Sequence, residues 1–175
     1  MWYFEASINL SLMNKNYRIS VIIPTYNSQK SIKQCIDSVY SSSYPVKEVI
    51  VVDDCSSDKT TDVVKNLGVI LIRNDTHRFQ AASRNKGAGI VNGGLLLFID
   101  SDIVLKSDAI KSAVESMAET GASAVVGMCS PFNPYDNTFS QYKHLYMVFN
   151  QLGSKPWIQW TNTSFLLISK KPSFP

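Results

Sequence analysis

No apolar run in this sequence approaches the roughly 20 residues that a membrane-spanning helix requires. The runs Leu95–Ile99 and 165–168 are strand-length, which excludes an integral helical membrane protein for the chain as given. Cysteine is scarce: Cys35, Cys55 and Cys129 are an odd number with no CxxC or Cys/His ligand spacing. That excludes a disulfide framework and a zinc site, and fits a reducing cytoplasm. Charge of one sign is missing too. The 17 basic and 14 acidic side chains are scattered and leave a net charge of +3, so no basic arm announces a nucleic-acid partner. This mild excess still permits peripheral association with an anionic membrane face. The glycine-rich GxGxxG fingerprint is absent after the first apolar run, where Pro24-Thr25-Tyr26-Asn27 stands, and this disfavours a dinucleotide oxidoreductase. Residues 1–12 lack a basic segment followed by an apolar core and do not read as a signal peptide. Met13 is a reasonable biological start, with 1–16 an extension and 17–175 one domain.

What is present is a regular alternation. At 175 residues and 45% hydrophobic content, the chain suits a single α/β domain with a sizeable core. Residues 19–23 form a β-branched strand closed by Pro24. Ser28 then reads as the cap of a helix whose Ile32, Cys35, Ile36, Val39 and Tyr40 share one face. A second strand spans 49–52, and the polar run Asp53-Asp54-Cys55-Ser56-Ser57-Asp58 leads to a short helix with Val63, Val64 and Leu67 on one side. A third strand follows Gly68 over 69–72. Residues 81–91 predict a helix ended by Asn92-Gly93-Gly94, and Leu95–Ile99 a fourth strand running into Asp100-Ser101-Asp102. Ser107 or Asp108 caps a further helix to about Glu119. Beyond Gly121, residues 124–128 are strand-like, 133–137 a loop, 139–149 an aromatic-rich amphipathic helix, and 165–168 a last strand.

Continuous apolar strands alternating with amphipathic helices imply a mostly parallel sheet covered on both faces, a three-layer α/β/α sandwich with ligands at the carboxyl ends of its strands. On that rim the chain places Pro24 to Asn27, Asp53-Asp54 and Asp100-Ser101-Asp102. Carboxylates gathered on one edge repel one another unless a cation is present. A hard divalent ion, Mg²⁺ or Mn²⁺, takes oxygen ligands from one or two carboxylates while phosphate oxygens complete its shell. Residues two apart after a strand can divide the work, one reaching a metal while the other accepts a hydrogen bond from a ribose hydroxyl or a metal-bound water.

Each motif alone has an ordinary explanation. Asp-Ser-Asp is a common turn, Ser56, Ser57 and Asp58 serve as turn and cap residues, and Arg84 and Asn85 suit a solvated helix face. His77 and His144 read as structural or surface residues, and Trp157 and Trp160 as core aromatics or stacking platforms. The order of the motifs carries more than any one of them. Residues 17–27 (YRISVIIPTYN), then Val51 to Asp58, then Ser83-Arg84-Asn85-Lys86-Gly87, then Phe98 to Asp102 resemble the family 2 glycosyltransferases of the GT-A fold. The resemblance is strong over 17–128 and weaker to Lys170, where Thr161-Asn162-Thr163-Ser164-Phe165 is similar to a strand beside the donor sugar.

This resemblance implies transfer of a sugar from a nucleotide-diphospho-sugar, UDP-linked and with inversion, to a glycan, lipid or protein acceptor, in the cytoplasm or at the inner face of its membrane. Pro24, Thr25 and Tyr26 would line the nucleotide pocket, with Asn27 fixing the loop. Asp54 would read the base through its imide hydrogen, and Arg84 and Asn85 would face the nucleotide or its phosphates. Asp100 would lie near the ribose, Ser101 would belong to the nucleotide-sugar site, and Asp102 would hold the metal. Two departures stand out. Phe79-Gln80 occupies the place of a glycine or proline before the Arg-Asn pair, implying a differently shaped loop. No Asp or Glu follows Asp136, so the carboxylate base of inverting members is not found here, and a donor-binding fragment or pseudoenzyme is the nearest alternative. A haloacid-dehalogenase-type phosphatase also carries DxD after a buried strand, but near its chain start and continuing into Gly-Thr, whereas Ile103-Val104 follows Asp102.

Overall fold

A computed structural model describes residues 17–91, 94–128, 142 and 164–170. The expectations on 1–16, 92–93, Cys129, the loop 133–137, the rest of the 139–149 helix, His144, Trp157, Trp160 and 161–163 lie outside the described residues.

The sheet grows from three apolar strands that have no exposed face: β1 (Ile19–Thr25), β2 (Glu48–Asp53) and β4 (Leu95–Ile99), in which only Glu48 is less than buried. Among the described residues, β3 (Ile70–Arg73), β5 (Ala124–Val126) and β6 (Phe165–Ser169) complete six strands in the order β3-β2-β1-β4-β6-β5. β1 pairs in parallel with β2 and β4, and β2 with β3, while β6 runs antiparallel to both β4 and β5. The edge strands β3 and β5 are the exposed ones.

Among the described residues, four helices cover the sheet: α1 (Ile32–Tyr40), α2 (Thr60–Val64), α3 (Phe79–Ile90) and α4 (Ala109–Thr120). Strand side chains alternate between faces with a period of two. Ile19, Val21, Ile23, Val49, Val51, Leu95, Leu97 and Ile99 pack on one side against Ile32, Cys35 and Ile36 of α1, Val64 of α2 and Ile110 of α4. Ile22, Ile50, Val52, Leu96 and Phe98 pack on the other against Ala88 of α3 and Val91 just after it. This is the three-layer, mostly parallel architecture expected. Each fully buried Val, Ile or Leu contributes about 1.5–3 kcal/mol, so β1, β2 and β4 anchor the rim on which the site is built. No helix among the described residues is long and apolar enough to cross a membrane.

Several boundaries differ from the sequence reading. β1 continues through Pro24 to Thr25, because β4 pairs with it only from Ile19 to Ile22. Beyond that point β1 has one ladder partner, and a residue without an N–H is tolerated. Ser28 is not the cap of α1. Its carbonyl accepts from the Ser31 and Ile32 amides, and the helix begins only at Ile32, after a turn. α3 starts at Phe79 rather than Ala81. It also lies unusually close to the sheet, since a Cβ on Gly87 would sit 2.6 Å from Ile22 Cγ2 and 3.2 Å from Val52 Cγ2. α4 starts after Asp108, as expected, and ends at Gly121 with φ 67°, the left-handed conformation that glycine adopts freely.

Candidate functional site

The carboxyl ends of β1, β2 and β4 meet at one rim, held together by side chains that cross between loops. Asn27 sits at φ 51°, a conformation that Asn tolerates better than most residues. Its Oδ1 accepts from the Ser57 amide at 2.9 Å and the Asp58 amide at 3.3 Å, while its own amide donates to Ser56 Oγ at 2.9 Å. The loop after β1 is thereby pinned to the loop after β2. Ser28 Oγ meets Ser101 Oγ at 2.8 Å, tying the same loop to the β4 end. Asp58 Oδ1 accepts from the Thr60 amide at 2.9 Å and Oδ2 from the Gln29 amide at 3.2 Å. Burial pushes the Asp58 carboxyl up, but its hydrogen bonds from Thr60, Gln29 and its own backbone outweigh this and hold it below the ordinary range.

Between these loops lies a cavity of about 480 Å³ lined by Asn27 to Ser31, Asp58, Gln80 and Asp100 to Asp102. Its three carboxylates are not equivalent. Arg84 forms an ion pair with Asp100 Oδ1, and Ser164 Oγ donates to Asp100 Oδ2 at 2.8 Å. Asp100 is therefore oriented and neutralised from two sides. Asp102 is exposed and takes no hydrogen bond among the described residues. Cys35 lies beneath this loop, its Sγ donating to the Asp100 carbonyl at 3.5 Å. Burial, and after it the charges of Asp102 and Asp100, push the thiol up to about 12, so it stays protonated and unreactive.

The sequence-predicted residues separate into groups. Asn27, Asp100, Ser101 and Asp102 line the cavity. Pro24 and Thr25 lie below it in β1, both buried, with the Thr25 carbonyl accepting from the Asp54 amide at 2.8 Å. Tyr26 is half-exposed beside the cavity and meets the His77 ring at 4.3 Å between centroids. Arg84 reaches the rim only through Asp100. Asn85 is exposed and absent from the cavity lining, because 100° per residue turns it off the face that Gln80 and Arg84 share. Asp53 is fully buried, its Oδ2 accepting from the Ser56 amide and facing Arg73 Nε, both at 3.2 Å.

Asp54 is buried and already occupied. Its Oδ1 accepts from Asn74 Nδ2 at 2.7 Å and the Arg78 amide at 2.9 Å, and Oδ2 faces His77 Nδ1 at 2.9 Å. Burial raises its carboxyl, but the hydrogen bonds from Asn74 and the backbone amides of Arg78 and Phe79, with the nearby His77, outweigh that and hold it below the usual carboxylate value. His77, read from the sequence as structural or surface, is half-exposed and packs its ring against the Asp54 carboxylate. Phe79 has φ 65° and is 71% exposed, so it occupies the left-handed conformation that a glycine adopts without cost. Lys30, Gln29, Asp58 and Gln80 were not singled out as ligand groups. Among the described residues Lys30 brings the only cation into the cavity lining, and nothing in its local sequence distinguishes it from any solvated lysine.

The donor set fits a divalent ion held mainly by its ligand. Among the described residues no group of three or more His, Cys, Asp or Glu side chains could hold a metal. One unencumbered carboxylate, Asp102, beside an orienting Asp100 suits Mg²⁺ or Mn²⁺ when phosphate oxygens and water supply the remaining positions.

The model of "Glycosyl transferase family 2" matches residues 20–170. The glycosyltransferase GlyA of Streptococcus pneumoniae is 29% identical over 132 residues, covering 73% of this chain and 19% of its own. The crystal structure of Staphylococcus aureus TarS 1–349 in complex with UDP superposes with TM-score 0.60 at 29% identity, over 69% of this chain and 38% of that one. The mannosyltransferase PcManGT of Pyrobaculum calidifontis, solved with GDP-Man and Mn²⁺, gives TM-score 0.66 at 22% identity over 91% of this chain and 49% of that one, and shares the fold. The chain spans 19% to 43% of the length of the curated relatives it matches. With its mostly parallel sheet, its carboxylate-bearing rim and a match over most of its length, the chain has the GT-A fold and belongs to glycosyl transferase family 2.

Proposed function

We propose that this chain binds a nucleotide-diphospho-sugar, UDP-linked, at the carboxyl rim of its sheet and serves its metal-assisted, inverting transfer to an acceptor hydroxyl. The observation that carries the reading is a cavity lined together by an unencumbered Asp102, an oriented Asp100 and Lys30, beside the pinned loops after β1 and β2. The UDP complex of TarS supports uridine as the nucleoside.

In this reading the nucleoside end lies at Tyr26 and Asp54 and the diphosphate end at Lys30 and Asp102. Asp100, held by Arg84 and Ser164, is assigned to the ribose side. Fixing Asp100 this way leaves Asp102 as the carboxylate free to hold Mg²⁺ or Mn²⁺. When bound, the ion would offset charge that builds on the departing nucleoside diphosphate. Lys30 supplies a second positive charge to the same group, and Ser28 and Ser101 keep the loops it spans in register. No described residue is assigned to deprotonating the acceptor, a task that needs a base within hydrogen-bond reach of its hydroxyl.

Calorimetric titration with UDP and GDP, with Mn²⁺ and again with chelator, tests the reading. Metal-dependent binding that favours UDP is expected. Absence of binding to either nucleotide by the folded chain would overturn it.

A further inference from the structure

We propose that Ser38 of α1 is a positioning residue for Asp102, acting through the backbone of the segment that follows β4. The proposal rests on the donor-site reading above, in which Asp102 is the carboxylate that holds the metal, and it specifies what sets that carboxylate in place.

Asp102 takes no hydrogen bond among the described residues. Its position is therefore set through the main chain on either side of it. At the near end, Cys35 Sγ and the Ile103 amide both donate to the Asp100 carbonyl, at 3.5 and 3.1 Å. At the far end, the Leu105 amide donates to Ser38 Oγ at 3.0 Å, across 67 positions of sequence. Cys35 and Ser38 stand three residues apart and so lie on neighbouring turns of one helix face. α1 itself is seated in the core through Ile32, Ile36 and Val39. One anchored helix thus grips the Asp102 segment at both of its ends.

A serine in that position needs a reason. It is only 9% exposed, and burying a hydroxyl is unfavourable unless it is hydrogen-bonded. Its O–H is spent locally, on the Cys35 carbonyl at 2.7 Å, a back-bond that does nothing to strengthen a helix. What remains is the acceptor capacity of the oxygen, and the Leu105 amide takes it. Alanine would suit the helix better but would strip that amide of this acceptor.

Burial alternates along the gripped segment. Asp102 and Val104 are exposed, while Ile103 and Leu105 are half-buried against the core. With that alternation, a slip of one residue would turn Asp102 toward the core and Ile103 toward solvent. Apolar packing is non-directional, whereas an N–H···O bond fixes where the backbone stands. A small divalent ion such as Mg²⁺ demands oxygen ligands at about 2.0–2.1 Å in near-ideal geometry, so even a small displacement of the segment weakens its hold.

The test uses the whole chain as wild type, Ser38→Ala, Asp102→Ala and the double variant, in two measurements. The first is titration with UDP in Mn²⁺ and again in chelator. Ser38→Ala should lower the Mn²⁺-dependent gain in UDP affinity about tenfold, the worth of one well-made hydrogen bond, with the affinity in chelator at its wild-type value. In the Asp102→Ala background the same substitution should change neither affinity, because the carboxylate it positions is gone. The second is amide hydrogen exchange without metal or nucleotide. Exchange in Ser38→Ala should speed up over 100–107 while β1 and β2 keep their wild-type protection. A merely structural role would lower both affinities together and speed exchange throughout the sheet, which would overturn the proposal. An unchanged Mn²⁺-dependent gain in Ser38→Ala would overturn it too, while the donor site stands. A folded wild type that binds no UDP overturns both. Should Ser38→Ala not fold, Ser38→Cys takes its place with the same expected outcomes, being close in shape but with a sulfur that accepts weakly.

Discussion

Gly87 and Gly89 lie two residues apart on α3, and the same substitution at each should have opposite effects. An alanine Cβ at Gly87 would stand 2.6 Å from Ile22 Cγ2, where carbon atoms prefer about 3.5–4.0 Å, and Ile22 is fully buried at the centre of the sheet. Neither β1 nor its side chain can yield cheaply, so α3 must lift by about 1 Å, the shortfall against that preferred contact. Overpacking of this kind costs about 1–3 kcal/mol, and replacing a helical glycine by alanine returns about 1. Gly87→Ala should therefore lose about 2 kcal/mol, the clash falling in the upper part of that range. A Cβ at Gly89 meets nothing within 4 Å. Gly89→Ala should gain about 0.5–1 kcal/mol from the same propensity term. Urea unfolding of both variants measures the difference, with an unchanged slope showing that the midpoint shift reports stability. Because α3 also carries Arg84, the lifted helix in Gly87→Ala should loosen the Asp100 pair and weaken UDP binding, while Gly89→Ala leaves it unchanged. A Gly87→Ala variant as stable as Gly89→Ala would refute the close approach of α3 to the sheet.

Other outcomes follow from the site. Asp102→Ala should abolish the Mn²⁺-dependent part of UDP affinity, so that adding chelator to the variant changes nothing in the titration. Asp54 is held below the ordinary Asp value of 3.8, so its bonds contribute stability above that pH and lose it as pH falls through the lower folded value. The stability gap between wild type and Asp54→Asn should narrow in acid, and a gap constant from neutrality to acid in chemical unfolding would contradict the hydrogen-bonding described for Asp54. Cys35, its thiol pushed up to about 12, should resist iodoacetamide at pH 8 in the folded chain and react once unfolded. Mass mapping of the labelled peptide distinguishes it from the other cysteines.

The elements legible in the sequence were those whose cause is local. β1, β2 and β4 announce themselves as continuous apolar runs because both of their faces are buried, and Asp100 and Asp102 were placed on the rim because they follow one such run directly. The start of α1 was misread at Ser28 because a serine before an apolar face is the usual cap signal, and only the tertiary contact to Ser101 shows that its hydroxyl is otherwise engaged. Phe79 takes φ 65°, a backbone conformation suited to glycine, with its aromatic ring set against His77, and neither feature is written in the local sequence.

By itself, the sequence determined the layering, the order of strands and helices and the family, since hydrophobic period and motif order are properties of neighbouring residues. Tertiary structure alone decided which carboxylates are free. Asp53, Asp54, Asp100 and Asp102 look alike in the chain. Three are occupied by Arg73, Asn74, His77, Arg84 and Ser164, residues between 16 and 64 positions away for the partners of Asp54 and Asp100. Hydrogen-bond capacity is filled by whatever the fold brings within 3 Å, and that distance is not written in the order of residues.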